Sequence, residues 1–225
     1  MHAPTLSTYA FEPLSKRHNQ VHHSFDKSFS TRMTRALSWL ERAEQETDDL
    51  DAGFVFYWIS FNATYSMSIE EVEGFTEMDK ITQFLDLIIQ CDEKNEIYDI
   101  IWSRFTREIR GILNNPFIFK DYWICVAKGS GDEWKDRFEA SKKVVNYALS
   151  KKNTLSILQT LFSRLYVLRN QLMHGSATWN GATNRRQVTD GYHLIRALQP
   201  VFLSLMLENP SKQWGDVNFP RINKT

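Results

Sequence analysis

The chain is poor in the residues that constrain a backbone: 225 residues contain only two cysteines, nine glycines and six prolines. Cys91 and Cys125 stand in apolar surroundings without CxxC or Cys/His spacing. That excludes a disulfide framework and a cysteine zinc site, and makes both buried thiols of a reducing compartment. So few turn residues exclude a turn-rich sheet fold and favour long helices. No stretch approaches the roughly 20 apolar residues of a membrane span, and residues 1–30 have no apolar segment of signal-peptide length, so no membrane is expected and the expected location is cytoplasmic. Charge of one sign is also lacking, with 27 Lys and Arg against 27 Asp and Glu. Without a global positive field DNA is not an expected partner, and any RNA contact must be local. No phosphate-cradling glycine loop or nucleophile elbow occurs. His18, His22 and His23 have no acidic or cysteine partner at ligand spacing, so no metal and no cofactor is expected.

What is present is apolar and aromatic. Hydrophobic residues make up 42% of the chain and aromatics 13%, enough for a large core in an all-α, globular, soluble domain. Residues 1–30 read as a polar, partly ordered lead-in, 31–208 as one helical domain, and 209–225 as an irregular tail. Met33, Ala36, Leu37 and Leu40 recur at helical spacing in a first amphipathic helix over 31–47. Residues 54–65 are apolar nearly all round, and Phe54, Trp58, Phe61 and Tyr65 form a stripe at i, i+4, i+7, i+11, which predicts a buried helix, with a strand open for its first half. Further helices are predicted over 78–90, 96–113, 133–149, 155–174 and 187–207. Residues 117–126 form a short aromatic piece, helical or extended. Gly129-Ser130-Gly131 marks a loop before Asp132, placed to cap the next helix. Pro200 is expected to kink the last helix or interrupt its bonding near Arg196.

The most informative stretch is Leu168-Arg169-Asn170-Gln171-Leu172-Met173-His174-Gly175. On a wheel at 100° per residue, Leu155, Leu158, Leu161, Phe162, Leu165, Leu168 and Leu172 form one apolar stripe, and Ser156, Thr160, Ser163, Arg164 and Gln171 fall opposite it. Arg169 lies inside the stripe, where a permanent charge is costly unless a partner, a cleft or a subunit boundary receives it. His174 follows roughly 7.5 Å along the axis, directly before Gly175, the residue type of a left-handed helix end. Asn170 offers a donor and an acceptor for a histidine tautomer or a phosphate oxygen. Spacing alone is uninformative, because an Arg followed four to six residues later by a His recurs at Arg17 with His22 or His23.

In that context the stretch resembles the active-site motif of the HEPN superfamily, small helical proteins of bacterial conflict systems in which Arg, a polar residue and His end a core helix. The resemblance takes in 56–63, 168–175, 177–180, 184–188 and Trp214-Gly215. It does not reach residues 1–30 or 94–152. It implies an antiparallel helical bundle with additional helices, forming a two-fold homodimer with Arg and His of both subunits in one cleft. It also implies a toxin or defence effector that is a metal-independent ribonuclease. His174 would be base or acid, Arg169 would stabilise the transition state with Asn170 beside it, and the products would be a 2′,3′-cyclic phosphate and a 5′-hydroxyl. The substrate would be RNA, such as tRNA or mRNA, and a small nucleotidyltransferase would be a neutralising partner.

Around this site, Lys151, Lys152, Arg185 and Arg186 are candidate phosphate contacts and Trp179 a candidate base-stacking residue. Asn62 is a candidate support for the histidine. Each has a structural alternative: solvated charge, a core-anchoring Trp, a hydrogen-bonded core Asn. The motif as a whole has two as well, a non-catalytic module binding RNA, a nucleotide or a protein, and a helical dimerisation domain in which His174 complements a helix end.

Overall fold

The computed structural model describes residues 10–67, 74–217 and Phe219. Among them the chain is all-α, with no strand. The helices are α1 (Phe11–Val21), α2 (Lys27–Glu44), α3 (Leu50–Tyr65), α4 (Glu77–Gln90), α5 (Glu96–Asp99), α6 (Thr106–Leu113), α7 (Lys120–Lys128), α8 (Trp134–Ser150), α9 (Thr154–Met173) and α10 (Arg185–Glu208). No described helix is long and apolar enough to cross a membrane.

Side-chain caps start α2, α3, α4 and α9. Asp26 accepts the Phe29 N–H at 2.8 Å and starts α2 four residues before the predicted 31, while α1 occupies part of the stretch read as a lead-in. Asp49 accepts from Ala52 N at 3.0 Å, Asn153 from Ser156 N at 3.0 Å, and Thr76 with Asp79 forms a capping box. Asp132 does not cap α8 as its position suggested. Glu133 is the N-cap residue, without a side-chain bond, and Asp132 instead binds Lys135 Nζ at 2.6 Å. The predicted helix 96–113 is broken: Phe105 N bonds Ile100 O at 3.2 Å across a π turn, and α6 restarts after it. The 117–126 piece is a 3₁₀ turn, Pro116–Ile118, followed by α7. Pro200 sits buried inside α10, which runs through it as one helix.

The chain divides into two compact units, 1–94 with 195–225, and 95–194. In the first, α2 and α3 run antiparallel: Ser60 Oγ donates to Ala36 O at 2.7 Å, while Arg32 Nη1 donates to Thr64 O and Ser66 O at 3.0 and 2.7 Å. Arg32 is fully buried, and its Nη2 also reaches Gly215 O at 2.8 Å, so one guanidinium satisfies the carbonyl end of α3 and pins the tail segment. The stripe Phe54, Trp58, Phe61 and Tyr65 is core, with Phe84 edge-on to both Phe61 and Phe202, those two tilted against each other, and Trp214 against Phe84.

The second unit is organised on α9. Leu158, Leu161, Phe162, Leu165 and Leu168 are buried as the wheel predicts. The opposite face is not solvated, however: Arg164 and Gln171 are 2% and 8% exposed. Arg164 packs over the Phe119 ring at 4.3 Å and Phe138 at 5.6 Å, and its Nη2 donates to Ser141 Oγ at 2.9 Å. Cys91 and Cys125 are buried and unpaired, as expected.

Candidate functional site

The end of α9 is closed by a Schellman motif. Ser176 N bonds Gln171 O at 2.8 Å and Gly175 N bonds Leu172 O at 3.3 Å, with Gly175 at φ +69. The left-handed end at Gly175 is therefore as the sequence suggests. It turns the chain into a tight loop in which a Cβ on Gly181 would lie 2.9 Å from Thr178 O, and Asn180 and Asn184 take positive φ.

That loop, α7 and α9 wall a cleft of about 1210 Å³ within the second unit. α9 contributes Val167, Asn170 and Gln171, with His174 as its C-cap, and α7 contributes Lys120, Trp123, Ile124 and Ala127. Both sets follow i, i+3, i+4, i+7, one face of each helix. Phe117 and Tyr122 line it as well, and no carboxylate is among the lining residues.

Gln171 holds this cleft open in a defined shape. Its Nε2 donates to Phe117 O at 2.9 Å and its Oε1 accepts from Asn184 Nδ2 at 3.0 Å, so one buried amide ties the 3₁₀ turn before α7 to the loop after α9. Phe117 O also accepts from Trp123 Nε1 at 2.8 Å, which fixes the indole. Tyr122 meets Phe117, Trp123 and Trp134 edge-on, with ring centroids 5.3, 5.1 and 5.0 Å away.

The motif residues divide between faces. His174 and Asn170, four apart, both line the cleft, and the imidazole is exposed. Arg169 does not line it. Its Nη1 donates to Asn170 Oδ1 at 2.9 Å, and its Nε is buried without a hydrogen bond. Asn170 is thus the side chain that connects arginine and cleft. The other candidates are dispersed. Lys151 and Lys152 precede the far end of the 20-residue α9, about 30 Å away along the axis, with their ammonium groups over Tyr147 and Tyr98. Trp179 is 70% exposed and is not in the cleft lining. Arg185 Nη1 donates to Asn180 Oδ1 at 3.1 Å, holding the loop. Arg186 lies 3.7 Å from Asp190, whose carboxyl burial pushes above its ordinary range against the pull of that guanidinium. Asn62 belongs to the first unit, where its Oδ1 meets the Tyr65 hydroxyl.

No family model matches the chain, and no curated protein or solved structure matches it either. The site therefore stands on its own geometry. Gln171, Lys120, Phe117 and Trp123 were missed as cleft residues because α7 and α9 are far apart in sequence. The one legible signal was the aromatic density of 117–123.

Proposed function

We propose that this protein is a metal-independent endoribonuclease of HEPN type, acting as a two-fold homodimer with the ends of both α9 helices at one site. The observation that carries this reading is the exposed His174 imidazole on a cleft wall beside Asn170, with Arg169 bonded to Asn170. His174 takes the proton of a ribose 2′-OH, O2′ attacks phosphorus, and the P–O5′ bond breaks as O5′ receives a proton from the second subunit's imidazole. Arg169 stabilises the charge that develops on the phosphoryl oxygens. A helical step of 100° puts Arg169 and His174 about 140° apart around α9, so one chain's pair diverges. Two copies resolve this by supplying base, acid and arginines from opposite sides. A role as toxin or defence effector, held in check by a small nucleotidyltransferase, belongs to this proposal.

A second reading, a non-catalytic module that binds RNA, a nucleotide or a protein, is favoured by one feature. The His174 side chain has no hydrogen-bond partner among the described residues, whereas a general base is usually oriented by one. Incubation with total RNA and tRNA in EDTA separates the two. The enzyme reading expects cleavage with cyclic phosphate ends, lowered about 10²–10⁴-fold by His174→Ala and also impaired by Arg169→Ala. Absence of cleavage by the parent protein overturns it, and cleavage that survives His174→Ala moves the chemistry elsewhere.

A further inference from the structure

The cleft is larger than a histidine and a scissile phosphate require, and its chemistry is specific. Its α7 wall carries Trp123, 42% exposed, and Phe117 beside it is 47% exposed. Large aromatics exposed to this extent at a concave surface are normally covered by something. They are also held still: the Trp123 indole is fixed by its bond to Phe117 O, that carbonyl is fixed in turn by Gln171, and Tyr122 braces both rings edge-on. A rigid aromatic surface offers stacking area at little conformational cost.

The polar complement fits a nucleotide. Lys120 is exposed and has no ion-pair partner among the described residues, and with the imidazole of His174 it faces a lining free of carboxylates. An anion is therefore favoured, and a cation or an acidic-residue-seeking peptide is not. Asn170 keeps its amide Nδ2 unbonded among the described residues, an additional donor for a base edge or a phosphate oxygen.

We infer that this cleft holds an unpaired nucleotide of single-stranded RNA, with the base stacked on the Phe117–Trp123 surface and a phosphate beside Lys120. A paired base cannot enter, because its faces are occupied by its neighbours in the helix. The inference rests on the ribonuclease reading and names its substrate class: RNA that is single-stranded next to the cleaved bond.

The test uses the full chain and a short fluorescein-labelled single strand with 2′-O-methyl riboses, which lacks the nucleophile and stays intact, followed by anisotropy. The same strand annealed to its complement, and AMP as competitor, form the other arms. Expected are binding of the single strand, weaker binding of the duplex, and roughly 10- to 100-fold loss in Trp123→Ala. Lys120→Ala, on an exposed residue with no fold role, is expected to shallow the log–log salt dependence by about 0.7. Duplex binding as tight as the single strand overturns the inference, as does AMP competing with the strand's full affinity. Unchanged affinity and salt slope in Lys120→Ala also overturn it. If light scattering then shows the Trp123→Ala protein losing self-association, the aromatic surface is a subunit contact. The two readings fail separately: single-strand binding without cleavage of ordinary RNA defeats only the ribonuclease, and cleavage untouched by Trp123→Ala and Lys120→Ala defeats only the nucleotide site.

Discussion

Arg164 carries a charge into the second unit's core with no acidic partner within bonding distance among the described residues, and two aromatic faces and one hydroxyl take the place of an ion pair. Burial lowers its pKa to about 10, the nearby Asp121 opposing, so the guanidinium stays charged at neutral pH. Its long apolar stem and planar head pack against the touching rings of Phe119 and Phe138. Arg164→Met, which keeps the packing and removes the desolvation cost, is expected to be within about 1 kcal/mol of the parent or more stable. Arg164→Ala is expected to lose about 2–4 kcal/mol, read from urea midpoints. His174 is the opposite case. Its side chain is exposed and unbonded, so His174→Ala should shift stability by less than about 0.5 kcal/mol and its effect on RNA can be read as chemistry. On the sequence, the arginine that drew attention was Arg169, because a wheel reveals burial only where the other face is wet. Arg164 sat on the face that periodicity assigned to solvent, and α9 is covered on that side too.

At the scale of elements, one side chain joins the two walls of the cleft. Gln171→Leu would strip the amide that joins the 3₁₀ turn to the loop after α9 and leave Asn184 Nδ2 without its acceptor. The expected cost is about 1–3 kcal/mol, with faster hydrogen exchange through 176–184 and a loss of RNA affinity larger than the loss of stability implies. Nothing in the heptad-like pattern of α9 distinguishes Gln171 from a solvated glutamine, since its partners come from 117 and 184. The packing of α1 has its own signature. Burial, then the charge of His22, holds the His18 pKa below 6.5, the Asn19 side chain opposing. The folded protein thus resists protonation there. His18 contributes no penalty above about pH 6.5, and stability falls as pH drops from that value through the lowered folded one. Glu44, raised by burial while it accepts the Phe11 N–H, acts in the opposite sense. The His18 part is therefore the difference between parent and His18→Gln in melting temperature between about pH 7 and about pH 5. A parent no more acid-sensitive than the variant would show that His18 is not held neutral.

For the whole molecule, the proposal demands two copies. Light scattering at micromolar concentration is expected to give twice the 26.4 kDa of one chain, and a monomer would remove the basis for a shared Arg/His site. Helical class, the buried Phe54–Tyr65 stripe and the left-handed end at Gly175 were all legible in the chain. They depend on interactions within a few residues: hydrophobic period, side-chain caps and the conformational freedom of glycine. Helix starts shifted where a cap such as Asp26 outweighed the polar character of its neighbours. The π turn at 100–104 was hidden because its residues have ordinary helical composition. Which faces meet, and therefore that α7 rather than the lysines before α9 lines the site, depends on contacts between residues remote in sequence. Local propensity carries no record of those contacts. His174 could be found from its own neighbourhood, but the cleft it borders is tied together by Gln171 bonding Phe117 and Asn184 across the fold.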